Sequence, residues 1–315
     1  MKSGFLNQKF DLDLKKPDGA KLVSYSQFSN YQKCQLYWKL CYIDRLKPFE
    51  PSIHTCFGTT MHSIIQEWIT VMFTQTIKKS NELDFKKMLL DELKKNYAAD
   101  VEKSGKHFST KEQLSEFYLD GLEILEWFRK KRTKYFSSKD EELIGIEVPL
   151  MICPDETKPN VFLTGYLDAV IRNKKNKRIR ILDFKTSGRG WSDWEKRDET
   201  KIAQLLLYKI YFSKQYNVPI SDIEVEYIIL KRKIDPDSQW AQRRVQVFSP
   251  SQGNVSYNKV SRNFQVFLDA CFLPDGSYNM LNSFRPISGK DGKNCRFCEF
   301  KNNYAVCPPE NRLSS

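Results

Sequence analysis

No apolar run in the sequence approaches the roughly 20 residues that a membrane-spanning helix needs. The first part of the chain carries Asp11, Asp13 and Asp18 and lacks the apolar segment of a secretory signal peptide. Internal repeats, low-complexity tracts and a Walker-type phosphate loop are also missing. These absences predict an intracellular, cytoplasmic protein with no membrane partner and no helicase motor of its own. A helicase or recombination partner would have to supply such a motor.

The bulk composition permits a folded core and is compatible with an anionic partner. Of the 315 residues, 40% are hydrophobic and 29% are charged, which argues against wholesale disorder. The length suits one catalytic domain with a helical elaboration. The formal net charge of +12 is compatible with nucleic-acid binding and equally with a basic surface that is simply well solvated.

Apolar spacing changes along the chain from the period of helices to the period of strands. Helices are predicted over residues 24–45, from Gly58 to Met72, and over 82–103, 109–136, 200–216 and 253–272. Strands are predicted over Glu142–Ile152, Val161–Arg172, Arg178–Thr186, 222–232 and 241–249, the first three as a meander. This order predicts a mixed α/β, α+β-like core sheet flanked by helices. The expected segments are an arm (1–23), a helical region (24–140), a core (141–282) and a cysteine-rich tail (283–315).

The pattern Asp-x-Lys occurs four times, and the context of each copy differs. It begins at Asp13, Asp84, Asp183 and Asp291, but only the copy at Asp183 ends an apolar strand. The strand period of two places Asp183 and Lys185 on one face and turns Phe184 into the packing. A second carboxylate, Asp168, lies on the preceding hairpin strand, and two carboxylates suffice for Mg²⁺. The alternative is a surface cross-strand pair between Asp168 and Lys185.

Five segments, in order along the chain, resemble the RecB-like branch of the PD-(D/E)XK nuclease superfamily. They resemble its S-x-S entry, G-x-x-x-H helix, G-x-x-D strand, D-[FY]-K-T strand and Q-x-x-x-Y helix. The matching segments are Ser24–Phe28, Gly58–His62, Gly165–Asp168, Asp183–Thr186 and Gln204–Tyr208. The resemblance implies a restriction-endonuclease-like core sheet and the iron–sulfur architecture of the AddB-type nuclease domain and CRISPR-associated exonucleases.

The resemblance also implies roles for particular residues. Asp168, Asp183, the Phe184 carbonyl and His62 would bind Mg²⁺ or Mn²⁺, and Lys185 would act on the attacking water. Gln204 and Tyr208 would lie beside the site and contact DNA. Glu147 would support the site without being catalytic. Without the resemblance, His62 would be interpreted as a structural histidine on an apolar helix face.

The expected activity is that of a metal-dependent DNA nuclease. The enzyme would be an exonuclease that hydrolyses phosphodiester bonds, and its partner would be DNA, including single-stranded DNA. Two alternatives stay open. One is a non-catalytic nucleic-acid-binding or scaffolding module on a nuclease fold, and the other is a restriction-type endonuclease. The sequence leaves the oligomeric state undetermined.

Three cysteines cluster near the C-terminus, at Cys295, Cys298 and Cys307. A four-sulfur site needs one more, and the candidates are Cys34, Cys41, Cys56, Cys153 and Cys271. The resemblance implies Cys34 as the fourth ligand of a structural 4Fe–4S cluster that packs the tail on the N-terminal helix. Zinc is the alternative metal. Gln35, where the family commonly has proline, and a long last gap depart from the pattern.

The polar stretch over residues 187–199, after the strand with Lys185, contains two tryptophans and two basic residues that could contact DNA. Trp191, Trp194, Arg189 and Lys196 offer ring faces to bases and charges to phosphates. A tryptophan pair packed on the core explains the same sequence equally well, so both interpretations stay open at this point.

Overall fold

The computed structural model describes residues 4–5, 14–235 and 243–314. Residues 1–3 and 6–13 of the predicted N-terminal arm, and residues 241–242 of the last predicted strand, lie outside the described residues. The described strands are β1 (Gly4–Phe5), β2 (Lys21–Ser24), β3 (Glu141–Ile152), β4 (Val161–Asn173), β5 (Ile179–Ser187), β6 (Ile223–Lys231) and β7 (Val245–Phe248). They form one sheet in the order β1-β3-β4-β5-β6-β7, with β2 paired to β4.

The sheet is mixed, as the sequence predicts. Strands β3, β4 and β5 form the expected antiparallel meander, whereas β5 and β6 pair in parallel. A parallel connection requires a crossover, and the helix Glu199–Tyr216 supplies it. Strand β2, which the sequence does not predict, pairs in parallel with β4 and brings the start of the first helix to the sheet.

The helices of the described residues are α1 (Tyr25–Lys33), α2 (Gln35–Tyr42), α3 (Ile53–Thr74), α4 (Ile77–Asn81), α5 (Phe85–Ser104), α6 (Lys111–Lys130), α7 (Asp193–Lys196), α8 (Glu199–Tyr216) and α9 (Asn254–Cys271). The predicted start of α3 at Gly58 is wrong. Ser52 and Thr55 form a capping box, so the helix begins at Ile53 and Gly58 lies within it. No helix in the described part of the chain is long and apolar enough to cross a membrane.

The single helix predicted over 24–45 is also wrong, because the chain is extended at Cys34. This residue has φ −159° and ψ 114°; it ends α1 and caps α2, with its Sγ accepting the Tyr37 N–H at 3.5 Å. Cys34 and Cys41 therefore do not lie two turns apart on one continuous helix. The break turns Cys34 toward the C-terminal tail, where Ile287 N–H donates to its Sγ at 3.3 Å.

Helices cover both faces of the sheet. On one face, α3, α5 and α6 share a core with alternate sheet residues that include Leu182 and Phe184 of β5. On the other, α8 packs on a second set that includes Ile181 of β5. A third core joins α1 and α2 to α8 and α9. The resulting order of helix, sheet and helix confirms the predicted fold class and positions the end of β5 between two helical layers.

Candidate active site

Strands β4 and β5 separate where their carboxylates lie. Their pairing runs from Arg172↔Ile179 to Ala169↔Leu182 and ends one residue before Asp168 and Asp183. The gap lets the Asp168 side chain reach the neighbouring backbone, and its Oδ2 accepts the Phe184 N–H at 2.6 Å. A backbone group that has lost its ladder partner therefore holds this carboxylate in place.

Asp183 and Lys185 lie on one face of β5, as the strand period predicts. Lys185 Nζ is 2.5 Å from Asp183 Oδ1, and Phe184 between them is buried in the α3 core. Burial disfavours the ammonium, but the two carboxylates Asp183 and Asp168 outweigh it and raise the pKa of Lys185. The lysine therefore stays charged at neutral pH.

Helix α3 brings His62 to the same place. His62 Nδ1 is 3.4 Å from Asp168 Oδ1, and the imidazole packs edge-on against the Phe184 ring at a centroid distance of 5.9 Å. Burial opposes protonation, yet the neighbouring Asp168 carboxylate raises the pKa of the imidazole. Gly58, one turn earlier, lies next to the end of β5, and a Cβ there would be in ordinary contact with Thr186 Oγ1 at 3.4 Å.

Helix α8 holds Asp183 from the opposite side. Gln204 Nε2 donates to Asp183 Oδ2 at 3.0 Å and lies 3.2 Å from the Tyr208 hydroxyl. Gly165 of β4 leaves room for Tyr208, since a Cβ there would be 3.3 Å from the ring. Sequence reasoning missed Tyr227 of β6, whose buried hydroxyl lies 3.1 Å from Gln204 Oε1. A tyrosine at an inward position of a strand, next to three consecutive apolar residues, is the signal that could have identified it.

A second layer of polar groups lies behind Asp168. Gln66 Nε2 donates to Glu147 Oε1 at 2.5 Å and to the Asp168 backbone oxygen at 3.3 Å. Glu147 has φ +50° within a strand, an uncommon backbone conformation that turns its side chain toward this group. Gln66 was missed, although its position one turn after His62 on an apolar helix face is a signal that was available.

Burial dominates the electrostatics of the pair of aspartates. It raises the pKa of Asp183 to about 6, against the lowering effect of Lys185 and with a further increase from Asp168. The pKa of Asp168 lies below its usual range, because the effect of His62 and the Phe184 N–H outweighs burial. Two carboxylates that lie close together with little solvent repel each other, and a bound cation would reduce this repulsion.

The donors fit a hard divalent cation, although no three His, Cys, Asp or Glu side chains of the described residues stand in a ready coordination geometry. Asp183 is buried, and its Oδ1 faces the Lys185 ammonium at 2.5 Å. Two carboxylates and one imidazole suit Mg²⁺ or Mn²⁺. The Phe184 carbonyl as a further ligand stays a prediction.

The other copies of Asp-x-Lys have different surroundings. Asp84 is the N-cap of α5, where its carboxylate accepts the Lys86 and Lys87 N–H groups. Asp291 lies in a left-handed turn of the tail at φ +55°. Asp13 lies outside the described residues. Of the described copies, only the one at Asp183 meets a second carboxylate and a histidine.

The four predicted cluster cysteines lie around one cavity of about 650 Å³, between the α1–α2 break and the tail. Its lining includes Cys34, Cys295, Cys298 and Cys307. Two backbone N–H groups point at Cys34 Sγ, from Tyr37 and Ile287. Cys41 is not among the described residues that line the cavity.

The two tryptophans after β5 have different environments. Trp191 is buried, and its ring lies 4.7 Å from that of Tyr227 and 6.1 Å from that of Phe248, so it packs on the core. Trp194 of α7 is 63% exposed. The predicted pair is therefore divided, and only Trp194 presents a ring face to solvent.

Comparison with known proteins places this geometry in a family. The chain is similar to the crystal structure of a candidate exonuclease from Eubacterium rectale (12% identity, TM-score 0.44, 78% of this chain and 80% of that chain). It is also similar to the structure of SSO0001 (14% identity, TM-score 0.31, 91% of this chain and 96% of that chain). No curated protein matches it. A family model described as the PD-(D/E)XK nuclease superfamily matches residues 22–308, so the chain belongs to that superfamily.

Proposed function

We propose that this nuclease is a divalent-metal-dependent deoxyribonuclease that hydrolyses phosphodiester bonds from DNA ends. The convergence of His62, Asp168, Asp183 and Lys185 from α3, β4 and β5 carries the proposal. A phosphodiester needs charge stabilisation at the phosphate and a polarised water, and this group of side chains supports both.

Each side chain has a task that follows from its contacts. His62, Asp168 and Asp183 would hold the cation, which supplies Lewis acidity and lowers the pKa of a bound water. Lys185 carries the positive charge that stabilises the developing negative charge on the phosphate. Gln204 keeps Asp183 oriented through its 3.0 Å hydrogen bond, and Phe184 N–H does the same for Asp168 at 2.6 Å.

The reaction is tested with end-labelled linear DNA and covalently closed circular DNA, each with Mg²⁺, with Mn²⁺ and with a chelator. We expect metal-dependent release of short products from the linear substrate and an intact circle. Cleavage of the circle would favour the restriction-type endonuclease instead. Binding without any cleavage would favour the non-catalytic module.

The site assignment is tested by Asp183→Ala and Lys185→Ala. Each should reduce cleavage at least a hundredfold while the protein stays folded, because each removes a group that contacts the reacting centre. The matched control is the Lys87–Asp91 pair on the exposed face of α5. Lys87→Ala and Asp91→Ala should cleave at the wild-type rate; a wild-type rate in either site variant would refute the assignment.

We propose further that Cys34, Cys295, Cys298 and Cys307 bind a structural 4Fe–4S cluster, with zinc as the alternative metal. Support comes from the shared cavity and from the two backbone N–H groups directed at Cys34 Sγ, since hydrogen bonds to ligand sulfurs are typical of such clusters. The cluster would join the entry helices to the tail, and its ligation would be coupled to folding.

Anaerobically purified protein should contain iron and sulfide and absorb visible light broadly. Cys34→Ser should lose the colour and lower the melting temperature. Cys41→Ser is the informative control, because Cys41 belongs to α2, the helix that Cys34 caps, and yet is not among the described residues that line the cavity. If the protein instead contains one zinc ion per chain, the four ligands stand and the metal is zinc. A protein without metal would contradict the proposal.

A further inference from the structure

Two strongly exposed aromatic side chains lie at the cysteine cavity without being needed for its packing. Trp194 is 63% exposed and Phe297 is 90% exposed. They come from distant parts of the sequence, α7 and the loop between Cys295 and Cys298, and both line the same cavity. A large ring that is nine-tenths exposed gains little from burial, so packing does not account for it.

The surroundings of these rings carry an excess of positive charge. Lys293 Nζ lies 4.4 Å from the centroid of the Trp194 ring. The cavity lining contains two carboxylates, Asp198 and Glu299, and five basic side chains: Lys33, Lys47, Lys293, Lys301 and Arg312. Exposed rings interleaved with cations match a polyanion that offers flat apolar faces, which describes the bases and phosphates of an unpaired nucleic-acid strand.

The start of α8 contributes to the cavity, and the same helix leads to the active site. Asp198 and Thr200 line the cavity, and the Tyr25 hydroxyl donates to the Thr200 carbonyl oxygen. Thr200 is four residues, about 6 Å along the helix axis, from Gln204, which contacts Asp183. The cavity and the Asp183 site are therefore linked by about one turn of α8.

We propose that Trp194 and Phe297 form a stacking site for unpaired bases that guides a single nucleic-acid strand toward or away from the Asp183 site. The inference rests on the proposed nuclease function and adds to it a substrate form. A base in a duplex is stacked between its neighbours and cannot offer its face to a side chain, so the site distinguishes single strands from duplexes.

The test measures binding of a fluorescent oligothymidylate by anisotropy, in the presence of chelator so that no cleavage occurs. Trp194→Ala and Phe297→Ala should each weaken binding roughly 5- to 150-fold, as the loss of one stacked base implies. Trp194→Phe and Phe297→Trp keep a ring and should restore most of the affinity. A duplex of equal length should bind all of these proteins alike.

The control is Phe49→Ala, which removes another exposed ring with a lysine above it, because Lys103 Nζ lies 3.9 Å from the Phe49 centroid. It should leave oligothymidylate binding unchanged. Unchanged binding in Trp194→Ala and Phe297→Ala would overturn the stacking site. A protein partner would then be the alternative explanation for the two exposed rings. Equal losses for duplex and single strand would also overturn it, since the surface would then act by charge alone.

Failure of the inference is distinguishable from failure of the proposed function. A protein that cleaves DNA with Mg²⁺ but binds oligothymidylate equally well with and without the two rings keeps its nuclease function and loses the stacking site. A protein that never cleaves, yet loses single-strand affinity in both alanine variants, keeps the stacking site and loses the nuclease function.

Discussion

At the scale of single residues, the site depends on side chains that orient the carboxylates. Gln204 contacts Asp183, and Tyr227 lies within hydrogen-bond distance of Gln204. Gln66 donates to the backbone oxygen of Asp168. If the carboxylates bind the proposed cation, these neighbours would hold them in the geometry that binding requires.

We expect Gln204→Ala to lower the cleavage rate roughly 10- to 150-fold, the equivalent of losing one hydrogen bond to a charged group. The matched control is Gln215→Ala on the same helix. Gln215 accepts Met151 N–H at 2.9 Å and donates to the Pro149 oxygen at 3.1 Å, away from Asp183. It should lower the melting temperature but keep the rate of the folded protein; equal rates in the two variants would contradict a role for Gln204.

We expect a half-buried acid far from the site, Asp155, to contribute to stability against acid. Asp155 accepts hydrogen bonds from Gln265 at 2.7 Å, Thr157 at 2.9 Å and Lys158 at 3.0 Å. Burial raises its pKa, but these hydrogen bonds outweigh burial and hold the pKa of Asp155 well below its usual range. Its stabilisation is therefore complete above the unfolded pKa of about 4 and is lost as the pH falls through the folded pKa.

Asp155→Asn should cost about 1–3 kcal/mol of the free energy of unfolding near neutral pH, because several donors lose their charged acceptor. Calorimetry from roughly pH 7 to pH 3 measures the gap in melting temperature between wild type and variant. The gap should be constant above about pH 5 and narrow below about pH 4. A gap that does not change with pH would show that the carboxylate charge contributes nothing.

At the scale of elements, the tail from Phe284 onward is attached to the entry helices by hydrogen bonds as well as by the proposed cluster. Asn294 Nδ2 donates to the Lys33 oxygen, the last residue of α1, at 2.7 Å. The same amide donates to the Ile287 oxygen at 3.3 Å. These contacts position the cysteine-rich loop against the Cys34 break independently of any metal.

Asn294→Ala should loosen the tail and cost about 1 kcal/mol, the net worth of a typical hydrogen bond. We expect faster hydrogen exchange over 286–307 and easier release of the tail by protease, measured by mass spectrometry. The exposed Asn302 of the same segment provides the control, and Asn302→Ala should behave as wild type. If exchange in the tail is unchanged, the attachment does not depend on Asn294.

At the scale of the whole molecule, the predicted boundary between a helical region (24–140) and a nuclease core (141–282) crosses a shared hydrophobic core. Trp68 of α3 and Phe128 of α6 belong to the same buried cluster as Phe184 of β5 and Ile228 of β6. His62 reaches Asp168 only because α3 packs on the sheet in this way. The elaboration therefore shares one hydrophobic core with the sheet and contributes His62 to the candidate site.

We expect the helical region and the sheet to unfold together, because neither face of the shared core is buried without the other. Far-ultraviolet circular dichroism and tryptophan fluorescence should give coincident thermal transitions. Removing 75–135 should expose the apolar face of α3 and give insoluble or unfolded protein. Two separate transitions would instead show that the boundary at residue 140 divides independent domains.

The sequence by itself determined the local features of this protein. Alternation in β5 predicted Asp183 and Lys185 on one face with Phe184 in the core, and apolar spacing predicted the meander and the helix over 200–216. These features depend on the spacing of side chains along a strand, which repeats every two residues, or along a helix, which repeats every 3.6 residues. Residues close together in the sequence are enough to set that spacing. The order of five family motifs predicted the superfamily to which the chain belongs.

Tertiary structure decided which distant groups meet. It placed Gln66, Glu147 and Tyr227 around the aspartates, ended the β4–β5 pairing before Asp168, and buried Trp191 while exposing Trp194. It also broke the entry helix at Cys34, where contacts with the tail outweigh helix propensity. A periodic pattern states which face a residue occupies, but only the packing of elements far apart in the chain decides what that face contacts.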